Sequence, residues 1–369
     1  MKKTLALLLT AAFALVLPAC SGDAPAADPT PSQTVVQTSD PAPEASPDET
    51  PEATGFVTVL DTDRAEALVP VNPKTVAIYD YSILDILYNA GFENTGIERL
   101  IVPTKDTLPP DLSFYSEQGE DKVVSGGSLF YVDWDVLDLL QPELVILGGR
   151  SFGMNASGER LGSDDAAKFK TDTLGRYPGA AFVKLSVNAA NARLTEDIEN
   201  NASALASIFP GAAAAIEEKL AAVKAGIAEI HDKAQASGKT ALFAMMVDQT
   251  TLSVFNPGSR FGMLYDDFGF TPADDGAVEW TDAHGFDVRA EYVLEKNPDV
   301  IFLLDRSATV GTGAGAENFI NDPIIARTNA AQNGDIYVLT GDAWYTMTGG
   351  FSAAEAMISD LNQYIAKPE

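Results

Sequence analysis

One unit of local grammar occurs twice in this chain, and it restricts the fold more than any other feature. In VDWDVLDLLQPELVILGGR (132–150), Val136, Leu137, Leu139 and Leu140 fall at helical spacing. Pro142 then breaks the helix, and Leu144–Leu147 runs as a continuous apolar strand that leads to Arg150. In RAEYVLEKNPDVIFLLDR (289–306), Tyr292, Val293 and Leu294 lie on a short helix. Asn297-Pro298 breaks it, and the strand Val300–Leu304 leads to Arg306. A strand that is apolar at every position is buried on both faces, as in a parallel sheet covered by helices. TVAIYD (75–80), AAFVKLS (180–186), TALFAMMV (240–247) and DIYVLT (335–340) are further apolar runs that alternate with helical stretches. The chain reads as α/β, twice over.

Between the two halves lies PGAAAAIEEKLAAVKAGIAEIHDKAQASGK (210–239). Pro210 suits a helix start and Gly238 a stop, and Ile216, Leu220, Val223, Ile227 and Ile230 form one apolar stripe. The expected organisation is an N-terminal α/β lobe over 56–208, a bridging helix over 209–238 and a C-terminal α/β lobe over 239–369. A single stiff helix between lobes makes wide hinge closure unexpected.

The opening MKKTLALLLTAAFALVLPACSGD has the positive start (Lys2, Lys3) and short apolar run (Leu5–Leu17) of a secretory signal peptide, too short for a stable membrane span. Leu17-Pro18-Ala19-Cys20 looks like a lipobox, and Cys20 is the sole cysteine. Residues 1–19 are read as a signal peptide and Cys20 as the lipidated new N-terminus. A plain signal peptide with a chance cysteine is the alternative. Residues 20–55, rich in Pro, Ala, Ser, Thr and acids, cannot bury enough surface to fold and read as a tether. The expected location is outside the cytoplasm, lipid-anchored to the membrane at the cell surface or in the periplasm. With 53 acidic residues against 24 basic ones and a net charge of −29, nucleic acid is excluded as a partner. In such a field, arginines that face inward are informative.

Five segments in order, LQPELVILGGR (140–150), NPGSRFGMLYDDFGF (256–270), DAHG (282–285), EYVLEKNPDVIFLLDR (291–306) and GDAWYTMTGG (341–350), closely resemble the catecholate-siderophore-binding lipoproteins of bacterial ABC iron importers. The likeness extends over essentially the whole folded core. It implies a class III substrate-binding protein: two Rossmann-like lobes with mainly parallel sheets, joined by a single long α-helix. It implies a monomer that is not an enzyme and has no intrinsic cofactor. The transported ligand would be an Fe(III)-siderophore, a ferric catecholate, held in the interlobe cleft and passed to the transmembrane subunits of an ABC permease. By the same resemblance Arg150, Arg260 and Arg306 line the cleft and bind catecholate oxygens, while His284 and Tyr345 coordinate iron. Relatives often read Tyr-Trp-Tyr at the last motif; Ala343 replaces the first tyrosine here.

The chemistry suits those residue types. Ferric iron is hard and prefers oxygen donors, and imidazole is also accepted. A tris-catecholate complex carries about three negative charges, and arginine keeps its charge when buried and presents a planar fork of donors. Ligands bind at the carboxyl ends of open α/β sheets, where Arg150 and Arg306 are expected independently of the resemblance. A bis-catecholate leaves two iron sites open, which His284 and Tyr345 could fill. His231 is read as a helix-end group without a role. For Trp280, Trp344 and Tyr79, cleft lining and core packing remain open. Heme, cobalamin or a hydroxamate siderophore is the alternative cargo, although a neutral hydroxamate complex has no need of three arginines. An exported siderophore-processing enzyme is the reading from another class. Against enzymes, Gly311-Thr-Gly313-Ala-Gly315 is an incomplete dinucleotide pattern, Gly126-Gly127-Ser128 and Gly349-Gly350 do not fit the Gly-x-Ser-x-Gly elbow, and two histidines cannot supply a three-histidine zinc site. Docking to the permease is expected through acidic residues on the outer faces of the lobes.

Overall fold

The computed structural model describes residues 55–188, 193–274 and 285–365. Cys20, the expected signal peptide and the expected tether up to residue 54, as well as Trp280 and His284, lie outside the described residues. The first strands, β1 (Phe56–Leu60) and β2 (Glu66–Pro70), form an antiparallel hairpin that buries Val59 and Val69 on its inner face. The first lobe then builds a sheet from β3 (Thr75–Ile78), β4 (Arg99–Val102), β5 (Val123–Ser125), β6 (Leu144–Leu147) and β7 (Ala181–Lys184). Its strand order is β5-β4-β3-β6-β7 and every pairing is parallel. All four residues of β6 are buried, as its unbroken apolar run requires.

The second lobe contains β8 (Thr240–Met246), β9 (Leu252–Phe255), β10 (Thr271–Pro272), β11 (Phe286–Val288), β12 (Val300–Asp305) and β13 (Ile336–Val338). The sheet order is β11-β9-β8-β12-β13, with β10 also on β8. Strand β12 is buried throughout and pairs in parallel with both β8 and β13. Here the sheet departs from the parallel expectation, because β9 runs antiparallel to both β8 and β11. The cause is local. Asp248 accepts hydrogen bonds from the Thr250 and Thr251 amides at 2.8 and 2.7 Å and from both threonine hydroxyls, which closes a tight turn directly after β8. So short a connection can only return the chain antiparallel.

The bridging helix has a single 3₁₀ turn at Pro210–Ala212 and then runs from Ala213 to Ser237, 25 residues and about 38 Å. Gly238 ends it in the left-handed region at φ 60°, as the sequence pattern indicates. Ile216, Val223, Ile227 and Ile230 are buried against the helices Leu194–Ile208 and Phe351–Ile365, and one continuous apolar core joins both sheets through this helix. Both lobes belong to one compact unit, Pro51–Glu369.

Two carboxylates tie the lobes together at helix N-termini. Asp85, on the first-lobe helix Tyr81–Asn89, accepts from the Ser352 amide at 2.9 Å and from the Ser352 hydroxyl, at the start of Phe351–Ile365. In the other direction, Asp267 of the second lobe accepts from the Leu194 and Thr195 amides, both at 2.9 Å, at the start of Leu194–Ile208. Each satisfies amides that a helix leaves without internal partners. Gly350 makes the Asp85 contact possible, since a Cβ there would lie 2.2 Å from the carboxylate oxygen.

Candidate functional site

The carboxyl ends of β3, β6, β7 and β12 point to one cleft between the sheets, as open α/β sheets place ligand sites. The cleft holds about 330 Å³ and is lined by Tyr79, Asp80, Gly149, Arg150, Ser186, Val187 and Arg306 from the segments that follow those strands. Arg260, Tyr345, Thr346 and Thr348 line it from the second lobe, while Leu129, Phe130, Met154 and Arg160 form a ledge on the first.

Local chemistry places each side chain. Strand β6 runs into Gly148, whose Cβ would come within 2.6 Å of the Tyr79 carbonyl, so only glycine lets the chain turn there and present Arg150. Asp80 caps the following helix through the Ser82 amide at 2.9 Å, and burial raises its pKa against those hydrogen bonds and the nearby Arg150 charge. Arg260 sits in a turn held by Ser259, whose hydroxyl donates to the Asn256 carbonyl at 2.6 Å. Arg306 directly follows Asp305 at the end of β12. The Asp305 carboxylate gathers the chain beyond it, accepting from the Ala308, Gly315 and Ala316 amides at 3.0, 2.8 and 2.8 Å. Gly315 is held directly by this carboxylate, while Gly311 and Gly313 turn the chain before it at positive φ of 70° and 139°.

Tyr345 ends the short helix Gly341–Tyr345. Asp360 pins that helix, accepting from the Thr340 amide at 2.8 Å and the Trp344 indole N–H at 2.9 Å. Trp344 is thereby committed to the core, in tilted contact with the Phe243 and Phe268 rings, and its neighbour Tyr345 turns into the cleft. Of the aromatic residues left open by the sequence, Tyr79 lines the cleft, with its hydroxyl bound to the Gly126 carbonyl, and Trp344 does not. His231 sits in the last part of the bridging helix with Nδ1 3.0 Å from the Asp267 carbonyl.

The three arginines singled out from the sequence meet around Tyr345. Arg260 Nη2 donates to the Tyr345 carbonyl at 2.9 Å, Arg150 Nη2 donates to the same oxygen, and Arg306 Nε donates to the phenol oxygen at 2.9 Å. Their guanidinium carbons lie 4.5 Å (Arg260), 5.0 Å (Arg150) and 5.5 Å (Arg306) from the ring centroid, within cation–π range. Among the described residues none of the three forms an ion pair with a carboxylate. Burial and the neighbouring Arg150 charge hold the Arg260 pKa down to about 10, so it remains a cation at neutral pH. For Tyr345, burial opposes ionisation, but the Arg306 hydrogen bond and the Arg260, Arg150 and Arg306 charges outweigh it and lower the phenol pKa. The arrangement is a cluster of like charges around an acidified phenol, open on one side to an anion. His284 lies outside the described residues. Sequence reasoning passed over Arg160, Asp305 and the Leu129–Phe130 wall; an isolated arginine or a strand-end aspartate carries no pattern that marks it.

The chain matches the model of the periplasmic binding protein family over residues 76–343. It is 27% identical over 307 residues to the petrobactin-binding protein YclQ of Bacillus subtilis, covering 83% of this chain and 86% of that one. The crystal structure of YclQ superposes with a TM-score of 0.71 at 26% identity, over 85% of this chain and all of that one. The catecholate-siderophore-binding protein VctP of Vibrio cholerae superposes with a TM-score of 0.68 at 25% identity, over 84% of this chain and all of that one.

Proposed function

Because this chain belongs to the periplasmic binding protein family, we propose that it captures a ferric catecholate siderophore in the cleft between its lobes and delivers it to the permease of an ABC importer. One observation carries this reading: three arginines that have no carboxylate ion-pair partner among the described residues converge on one tyrosine in a chain of net charge −29. Such a cluster is repulsive while empty and is relieved by a compact multiply charged anion. A ferric tris-catecholate is such an anion, and planar guanidinium groups match its oxygens. The names of YclQ and VctP, as petrobactin-binding and catecholate-siderophore-binding proteins, support the same ligand class.

In this reading Arg150, Arg260 and Arg306 take the catecholate oxygens. Tyr345, as phenolate, supplies an oxygen donor to iron when a bis-catecholate leaves its shell incomplete, and His284 supplies an imidazole nitrogen. Ferric iron arrives and leaves with its siderophore as cargo. Cys20 carries the lipid that holds the protein at the membrane, and residues 20–55 are the tether; Cys20→Ser should release the protein from the membrane fraction. The permease meets acidic residues on the outer faces of the lobes.

Titration of intrinsic tryptophan fluorescence with ferric complexes of a tris-catecholate, a bis-catecholate and a hydroxamate tests the reading. Trp344 lies one residue from Tyr345 and reports by energy transfer from within the core. Saturable submicromolar quenching by the catecholates, and none by the hydroxamate, is the expected result. Saturation by the hydroxamate alone would overturn the ligand assignment.

A further inference from the structure

The cleft has a fourth arginine that the reading above leaves unused. Arg160 lines the same cavity as Arg150, Arg260 and Arg306, yet it takes no part in the contacts around Tyr345. Its place follows from a small hairpin. Met154 and Arg160 form an isolated antiparallel bridge, and residues directly paired in this way project their side chains to the same face. Met154 also lines the cleft, so Arg160 is aimed at it rather than merely near it. The hairpin is well fastened. Asn155 Oδ1 accepts from the Ser157 and Glu159 amides at 3.0 and 2.9 Å, the Leu161 amide donates to the Gly153 carbonyl at 2.9 Å, and the Met154 amide donates to the Phe130 carbonyl at 3.1 Å.

Charge and place together make the position informative. Among the described residues Arg64, Arg176 and Arg193 each pair with an aspartate or glutamate, whereas the exposed Arg289 and Arg327, like Arg160, form no ion pair; of these last three only Arg160 lines the cleft. Arg160 has no carboxylate partner among the described residues, although it is exposed and free to reach one. Between it and the three clustered arginines stands the apolar ledge of Leu129, Phe130 and Met154, with the Phe130 ring 6.0 Å from the Arg150 guanidinium carbon. An iron centre seated on the inner arginines would rest a catechol ring on that ledge. Arg160 would then face the part of the siderophore that links its catechols.

We propose that Arg160 is a specificity-determining residue that pairs with an anionic group, of carboxylate class, on the linker of the siderophore and outside the iron shell. This rests on the reading of the cleft as a ferric catecholate site. A contact at an exposed rim acts through selection and association rate more than through raw affinity.

The test uses the ferric complexes of two probes: bis-dihydroxybenzoyl lysine, whose linker bears a free carboxylate, and its primary amide. Affinities are measured by fluorescence titration of the full-length protein and of its Arg160→Ala and Arg160→Lys variants. The wild type should prefer the carboxylate probe by roughly five-fold, a preference that Arg160→Ala abolishes and Arg160→Lys partly keeps, while affinity for the amide probe stays nearly constant. Equal affinities in the wild type, or an equal loss for both probes in Arg160→Ala, would overturn the role of Arg160 and leave the ferric catecholate reading standing. Failure of the wild type to bind either probe while it binds a ferric tris-catecholate would overturn this inference alone; failure with all three complexes would overturn that reading as well.

Discussion

The Nε atom of Arg306 donates to the phenol oxygen of Tyr345 at 2.9 Å, across the join between the end of β12 and the helix Gly341–Tyr345. Burial acts against the phenolate, and the hydrogen bond with three nearby guanidinium charges overcomes it. The balance depends on the arginines. In Arg306→Ala, which loses the hydrogen bond and one of the three charges, the Tyr345 phenol should therefore titrate higher than in the wild type. Difference absorbance of the phenolate, using Tyr345→Phe to subtract the other tyrosines, measures this directly.

Arg260 illustrates a conflict between stability and binding. Its guanidinium is held among like charges and away from water, and its pKa falls to about 10. A cation whose folded pKa lies below its unfolded value destabilises the fold at neutral pH. Arg260→Met should therefore stabilise the empty protein, by about 1–3 kcal/mol, while reducing affinity for a ferric tris-catecholate by roughly 30- to 300-fold. Thermal unfolding and fluorescence titration on the same sample separate the two effects.

The reciprocal contacts of Asp85 and Asp267 with helix N-termini of the opposite lobe should make the cleft stiff. Asp267→Ala removes two amide partners and should cost about 1–2 kcal/mol, with faster amide exchange at the start of Leu194–Ile208. Asp85 adds a pH dependence. Burial raises its pKa to about 6 in spite of the Ser352 hydrogen bonds. A carboxyl group with a raised folded pKa contributes stability that is full below its unfolded pKa and is lost as pH rises through about 6. The wild type should gain stability relative to Asp85→Asn, by roughly 2–3 kcal/mol, as pH is lowered from neutrality to about 4. Chemical denaturation of both proteins across that range tests the sign.

Asp305 positions Arg306. Its carboxylate faces a burial cost, but the amides of Ala308, Ala316 and Gly315 and the Ser307 hydroxyl more than offset it and lower its pKa. Asp305→Ala should release the 306–316 segment, lower stability by about 1–3 kcal/mol and weaken ferric catecholate binding without touching the ligand. Asp305→Asn, which keeps an acceptor but not the charge, should fall between.

Replacement of His284 bears on iron ligation alone. If imidazole fills an open iron site, His284→Ala weakens binding of ferric bis-catecholates and leaves tris-catecholates nearly unchanged, since the latter already complete the iron shell. Equal loss for both would remove His284 from the iron shell. A shift of the catecholate charge-transfer band, seen in the wild type with the bis-catecholate only, is the accompanying signature.

The sequence by itself determined the doubled α/β architecture and the bridging helix. Strands apolar at every position, such as Leu144–Leu147 and Val300–Leu304, can be satisfied only by burial on both faces, and a helix between Pro210 and Gly238 is marked at both ends by backbone chemistry. The same logic set Arg150 and Arg306 at strand ends. The antiparallel β9 was less legible, because it depends on a turn built from the side chain of Asp248. What only the tertiary structure decided is which neighbours face one another. Trp344 and Tyr345 are adjacent on one short helix, and nothing in their order says which enters the cleft. Asp360, on a separate helix, takes the indole N–H and so turns the phenol toward the arginines. Arg160 likewise looks like any surface arginine until its pairing with Met154 aims it into the cavity. Local periodicity records what a segment must bury; the meeting of side chains from distant segments is settled by packing, which no single segment encodes.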